Sequence, residues 1–404
     1  MATPYSLPLS DRVRALSPSA TVAATARAAE LRQRGVDLLS MTAGEPDFDT
    51  PENIRKAAAR AIETGKTRYS LPASGIPELK DAICAKLRKD NELEYDRTDI
   101  IVTCGAKQTI FDAVVAVINE GDEAVIPAPY WVSYAEQVRL MGGRPIIVET
   151  HPENGYRMTA EELETALSPR TRVVFINSPC NPTGEVYTPD ELAALADVLV
   201  DRDLVVISDE IYEKILYDDA EHVSIASLHP ALRDRTLVVN GVSKAYAMTG
   251  WRVGYGAGPT DLIAAMIKVQ TQETTNTCTI SQHAALEALT GPQESVSIMR
   301  RAFQHRRDRM VERLNAMPFL TCRNPRGAFY VFPDVSELFG ASANGKTLQT
   351  DLDVVEFLME SALVAAVPGS GFGNGKHIRL SYAVSDNHVD LALERIGNAL
   401  SALR

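Results

Sequence analysis

The chain has 404 residues, 45% hydrophobic and 23% charged, with a formal net charge of −12. This is ordinary globular composition, long enough for two domains or one large domain with an appendage, and able to bury a core without disulfides or structural metal. The acidic balance argues against a non-specific nucleic-acid binder and against adhesion to anionic lipid.

The first eight residues, Met1-Ala-Thr-Pro-Tyr-Ser-Leu-Pro8, carry no basic region followed by an apolar core, so no signal peptide is expected. No apolar run approaches the roughly 18 residues of a membrane span. An Ala-rich helix over Val22–Arg34 precedes a short strand and the loop Ala43-Gly-Glu-Pro-Asp47. Strands are expected at Ile100–Val102, Glu123–Ile126, Pro145–Val148, Arg172–Ile176, Leu204–Ser208 and Thr236–Val239. Amphipathic segments separate them. Two open on capping boxes, Thr159-Ala-Glu-Glu162 and Thr188-Pro-Asp-Glu191. Strands alternating with helices imply an α/β fold with a mostly parallel sheet, whose ligands bind outside the carboxyl ends of its strands. After about residue 290 come a long charged helix, Glu294–Asn315, and two further strand patterns, 327–333 and 377–382.

The five cysteines (Cys84, Cys104, Cys180, Cys278, Cys322) are odd in number and form no C-x-x-C pair. That disfavours a disulfide framework and a metal site, and fits a reducing cytoplasm. Cys104 and Cys180 read as small packing residues.

Six motifs fall at strand ends or face the same crevice. Cys104-Gly-Ala-Lys107-Gln108 opens an apolar helix, where Gly105 and Ala106 let backbone N–H groups approach an anion; alone it reads first as a tight strand-to-helix turn. Trp131, in Pro129-Tyr-Trp131, offers a flat ring for stacking or for the core. Asn181 lies in the rigid turn Asn177-Ser-Pro-Cys-Asn181-Pro-Thr-Gly184, as a donor to a phenolic oxygen or to its own backbone. Asp209 ends a buried strand in Ser208-Asp-Glu-Ile-Tyr212, where it caps a helix or pairs with a protonated pyridine nitrogen; Tyr212 follows one turn on. Asn240-Gly-Val-Ser-Lys244-Ala-Tyr-Ala-Met-Thr-Gly-Trp-Arg252 follows another buried strand. Its lysine is placed to form an imine with an aldehyde, and its arginine is a planar fork suited to phosphate. Arg379 lies inside an apolar strand and requires a carboxylate partner, either of the protein or of a substrate.

These residues resemble the class I aminotransferases of fold type I, which depend on pyridoxal 5'-phosphate (PLP), and among them the bacterial aspartate aminotransferases of subgroup Ib. The resemblance runs from about Leu9 to Leu403. It is carried by Ser19–Val22, Ala43–Phe48, Pro129–Tyr134, Asn181–Gly184, Ser208–Tyr212 and Ser243–Arg252. It implies a large PLP-binding domain at 51–295 and a smaller α+β domain built from both chain ends: residues 1–50, then 296–404 with the connecting helix.

The resemblance also implies roles. Lys244 would be the Schiff-base lysine and proton shuttle, and Asp209 would pair with the pyridine nitrogen. Tyr212 and Asn181 would bond the ring's phenolic oxygen, and Trp131 would stack on the ring. Gly105, Ala106, Ser243 and Arg252 would hold the phosphate, with Tyr69 reaching it from the other subunit of a homodimer. Gly44 and Arg379 would bind the substrate's α-carboxylate and Lys107 its distal carboxylate, with Trp131 and Asn181 also facing substrate.

The implied activity is ping-pong transfer of an amino group from aspartate to 2-oxoglutarate. The alternatives are aromatic, alanine or prephenate transamination. Members that use prephenate carry a lysine where this chain has Ser17, and the run Tyr69–Gly75 is one residue longer than the family spacing. A PLP-dependent β- or γ-lyase would use the same lysine and aspartate. A transcription regulator with an aminotransferase-like sensor would need a DNA-binding domain ahead of residue 50, where the sequence instead matches the enzyme's own small domain.

Overall fold

The computed structural model describes residues 8–343 and 345–403. The first seven residues, part of the segment read as lacking a leader, lie outside it. Among the described residues no helix is long and apolar enough to cross a membrane.

A seven-stranded sheet dominates. Its strands in chain order are β1 (Ile100–Thr103), β2 (Glu123–Ala128), β3 (Arg144–Glu149), β4 (Thr171–Asn177), β5 (Val205–Asp209), β6 (Thr236–Gly241) and β7 (Gly254–Ala257). The spatial order is β1-β7-β6-β5-β4-β2-β3. All neighbours are parallel except β7, which runs antiparallel to both β1 and β6. The six strands expected from apolar patterning are present, with ends shifted by a residue or two. β7 was not foreseen, because Gly254-Tyr-Gly-Ala257 carries half its residues as glycine and shows no β-branched run.

Successive residues of a strand point to opposite faces, and both faces of this sheet are covered by helices. Val173, Phe175 and Ile207 therefore enter one apolar cluster, while Val174, Ile176 and Val206 enter the other. Both capping boxes form: Thr159 and Thr188 accept from the backbone N–H of Glu162 and Glu191, whose carboxylates accept in return.

The two ends of the chain meet in a parallel pairing of Leu39–Ser40 with Val364–Ala365. Beside it, Ile378–Ser381 pairs antiparallel with both Val367–Pro368 and Tyr330–Val331. The strand patterns at 327–333 and 377–382 thus yield shorter strands than their apolar runs suggest. Helix Glu294–Asn315 buries Phe303, Met310 and Leu314 in the same core. Two of its arginines are also buried, Arg306 against Asp47 and Arg307 against Asp218. The Ala-rich N-terminal helix spans Ala20–Gln33.

Candidate active site

The parallel register sets Asn177, Asp209 and Val239 side by side at the carboxyl ends of β4, β5 and β6. The chain leaving β6 then delivers Ser243 and Lys244 to the same edge. A cleft of about 360 Å³ opens there. Its walls include Gly44, Ala106, Lys107, Trp131, Asn181, Asp209, Tyr212, Ser243, Lys244, Arg252 and Arg379. Residues spread over more than 330 positions of sequence converge, as expected of a strand-end site in an α/β sheet.

Lys244 is partly buried, and its Nζ donates to the Gly44 carbonyl at 2.6 Å. Burial, followed by the positive charges of Arg379 and Arg252, pushes its pKa down to about 8. The amine is thus substantially neutral near pH 8, as a nucleophile or general base must be. Asp209 is buried at 6% exposure. It accepts from the Tyr134 hydroxyl at 2.5 Å and from the Ile211 N–H at 3.3 Å. Burial raises its pKa to about 6 despite those bonds. No helix follows Asp209 directly, so the helix cap that its position also allowed does not form; the Ile211 bond closes a turn, and the carboxyl lines the cleft.

Arg379 is 1% exposed. It donates to Asn181 Oδ1 and to the Thr42 carbonyl, each at 2.9 Å, while its Nε has no partner. Its guanidinium lies between the rings of Tyr330 and Phe372. Among the described residues it forms no ion pair with a protein carboxylate, which disposes of the structural salt bridge that its position in an apolar strand also allowed. Lys107 places its ammonium 4.8 Å from the centre of the Trp131 ring. Burial, then the charge of Arg252, lowers its pKa. The Tyr212 hydroxyl lies 2.8 Å from that of Tyr330.

The anion cradle is built from close backbone contact. Gly105 precedes helix Ala106–Val117 with φ of 86°, in the left-handed region that favours glycine. A Cβ there would stand 2.5 Å from Arg252 Nη2, and one at Gly254 would stand 2.2 Å from the Ala106 nitrogen. Arg252 donates to the carbonyls of Thr249 and Cys104. Helix N-terminus, arginine fork and the Ser243 hydroxyl thus border one corner of the cleft, a combination suited to a phosphate.

Tyr69 stands apart from this cleft. It is 76% exposed, beside Leu71 at 84%. Cys180 is half-buried, its thiol pushed up to about 11 by desolvation, and Cys104 is likewise raised. Both behave as packing residues. Two participants escaped the sequence reading. Tyr134 lies in the first turn of helix Ser133–Leu140, just after Trp131, and the two rings meet edge to face at 5.4 Å. Tyr330 was hidden inside what reads as a purely apolar strand.

Residues 36–396 match the family model for class I and II aminotransferases. An aspartate/prephenate aminotransferase of Cereibacter sphaeroides is 49% identical over 96% of this chain and 97% of its own length. The crystal structure of an aspartate aminotransferase from Rhizobium meliloti superposes with a TM-score of 0.96 at 44% identity, covering 99% of this chain and 100% of that one. An aspartate aminotransferase from Thermus thermophilus, solved with maleate, gives 0.91 at 46% identity over 98% of this chain and all of the other. With the fold and strand-end site already described, these likenesses establish that the chain belongs to the class I and II aminotransferase family. It is therefore an enzyme, a transferase of amino groups.

Proposed function

We propose that the cleft holds PLP on Lys244 and that the enzyme transaminates between aspartate and 2-oxoglutarate, giving oxaloacetate and glutamate. The residues present fit the cofactor. Asp209 is a buried carboxyl with no basic partner in contact among the described residues, which a protonated pyridine nitrogen would supply. The cradle at Gly105, Ala106, Ser243 and Arg252 fits its phosphate, Trp131 its ring face, and Tyr212 with the Asn181 amide its phenolic oxygen. Bound there, PLP supplies an aldehyde that condenses with amines and a cationic ring that accepts electrons.

The geometry supports a share for the protein's own residues. Arg379 and the Gly44 backbone orient the substrate α-carboxylate, and Lys107 meets the distal one. Lys244 Nζ would move the proton between the substrate Cα and the cofactor's C4′, a task matched to an amine whose pKa lies near 8. The observation that carries this reading is Arg379: buried, stacked, with its Nε unpartnered and no carboxylate paired with it among the described residues. The likeness to the enzyme solved with maleate, itself a dicarboxylate, supports the substrate class.

Prephenate is the second reading, favoured by the name of the Cereibacter relative. Against it stands Ser17, whose backbone N–H bonds Glu136 and whose side chain carries no charge. The same proposal includes a homodimer in the cytoplasm with Tyr69 reaching its partner's phosphate site, the domain division at residues 50 and 295, and closure of the smaller part on a substrate held between Lys107 and Arg379. Single-turnover absorption of the PLP-loaded protein tests the substrate. Fast conversion by aspartate and glutamate, with phenylalanine and alanine slow, is expected. Equal conversion by phenylalanine, or fast reaction of the aminated form with prephenate, would overturn aspartate as the preferred substrate.

A further inference from the structure

Tyr330 is fully buried and does two things at once. Antiparallel register sets it opposite Ser381, two residues beyond Arg379. Its ring centre lies 4.4 Å from the Arg379 guanidinium carbon, and Phe372 covers that cation at 5.1 Å. Its hydroxyl is 2.8 Å from the Tyr212 hydroxyl, and the two rings meet edge to face. Stacking alone needs only a phenylalanine. The hydroxyl is the part that requires explanation, because a buried polar group is costly unless bonded.

A phenol has one proton to give. For Tyr212 to donate into the cleft, its oxygen must be the acceptor of the Tyr330 bond, so Tyr330 must be the donor. We propose that Tyr330 is a positioning residue that turns the Tyr212 proton toward the cleft while its ring holds the Arg379 fork flat. It thereby couples the carboxylate subsite to the group that bonds the cofactor's phenolic oxygen. This rests on the PLP reading above.

The test is the pH midpoint of the visible absorbance change of the cofactor bound to Lys244, measured in wild type, Tyr330→Phe, Tyr212→Phe and the double variant. A bond donated by Tyr212 favours the anionic oxygen and so lowers that midpoint. Tyr330→Phe is expected to raise it by roughly half to one pH unit, the size of one net hydrogen bond. Tyr212→Phe should raise it further, and the double variant should match Tyr212→Phe, since Tyr330 acts through Tyr212. The KM for aspartate should stay within about twofold in Tyr330→Phe, which keeps the ring, and rise about tenfold in Tyr330→Leu, which loses it. A purely structural hydroxyl would lower the melting temperature and leave the midpoint unmoved. An unshifted midpoint in Tyr330→Phe, or shifts that add in the double variant, would overturn the assignment. A wild-type protein with no visible band would instead overturn the cofactor reading, and this role with it.

Discussion

Lys244 stands among charges that pull its pKa both ways. Burial, Arg379 and Arg252 lower it, while Glu45 and Asp209 raise it. The result, about 8, predicts how the cofactor-free protein behaves. Only the neutral amine attacks an aldehyde, so the rate of reconstitution with PLP should climb through the neutral range and level off above about pH 8. A stopped-flow rate that is flat between pH 6 and 9 would refute this. At Arg379 the prediction concerns shape. Arg379→Lys keeps a charge but loses the planar fork between Tyr330 and Phe372. The KM for aspartate should rise about 10- to 100-fold, equivalent to one lost charge-assisted bond. Steady-state kinetics with an unchanged KM would count against carboxylate capture. Lysine, aspartate and arginine were all legible in the sequence because each follows, ends or interrupts an apolar strand. Tyr330 was not, because a tyrosine in such a strand looks like any other core aromatic until its partner across the fold is known.

The segment leaving β5 shows how an element aims its side chains. Asp209 and Tyr212 face the cleft, while Glu210 and Glu213 face backward into a polar cluster. Glu213 pairs with Lys86 and accepts from Asn91 at 2.8 Å; Glu210 accepts from Ser208 at 2.8 Å and Ser224 at 2.6 Å, and meets His222 at 3.0 Å. These bonds anchor the turn that carries Asp209 and Tyr212. Burial alone would raise the Glu213 pKa, but Lys86 and then His222 more than offset it, bringing it down to about 2 from 4.5. A carboxylate depressed in the folded state stabilises above its unfolded pKa. That contribution is therefore present above pH 4.5 and is lost as pH falls toward 2. Glu213→Gln leaves Lys86 facing a neutral amide in the interior, at a cost of about 3–5 kcal/mol. Denaturant unfolding at neutral pH should show that loss; stability within 1 kcal/mol of wild type would argue against the anchor. At the other edge, Gly254→Ala would force a methyl against the backbone of Gly105 and Ala106, displacing the N-terminus of helix Ala106–Val117. Affinity for PLP measured by equilibrium dialysis should fall tenfold or more while the protein remains folded. Full-strength binding would contradict the cradle.

At the scale of the whole molecule, Tyr69 carries the clearest prediction. It is 76% exposed, next to Leu71 at 84%, and outside the cleft of its own chain. If it serves a second copy, sedimentation should give twice 44.0 kDa. Inactive Tyr69→Ala and Lys244→Ala chains, once mixed, should then recover activity, since one site of the hybrid holds an intact lysine and an intact tyrosine. No recovery on mixing would refute a shared site. The sequence by itself determined the alternation of strands and helices, the two capping boxes, and where Asp209, Lys244 and Arg379 stand relative to their strands: at the end of one, just past another, and inside a third. These are local: periodicity, capping chemistry and the cost of a charge in an apolar run all act within a few residues. Tertiary structure alone decided the antiparallel entry of β7, the seating of Tyr134 on Asp209, the hydroxyl pair of Tyr212 and Tyr330, and the freedom of Arg379 from any carboxylate among the described residues. Each depends on which distant segment is packed alongside, and chain order carries no record of that until the sheet has been assembled.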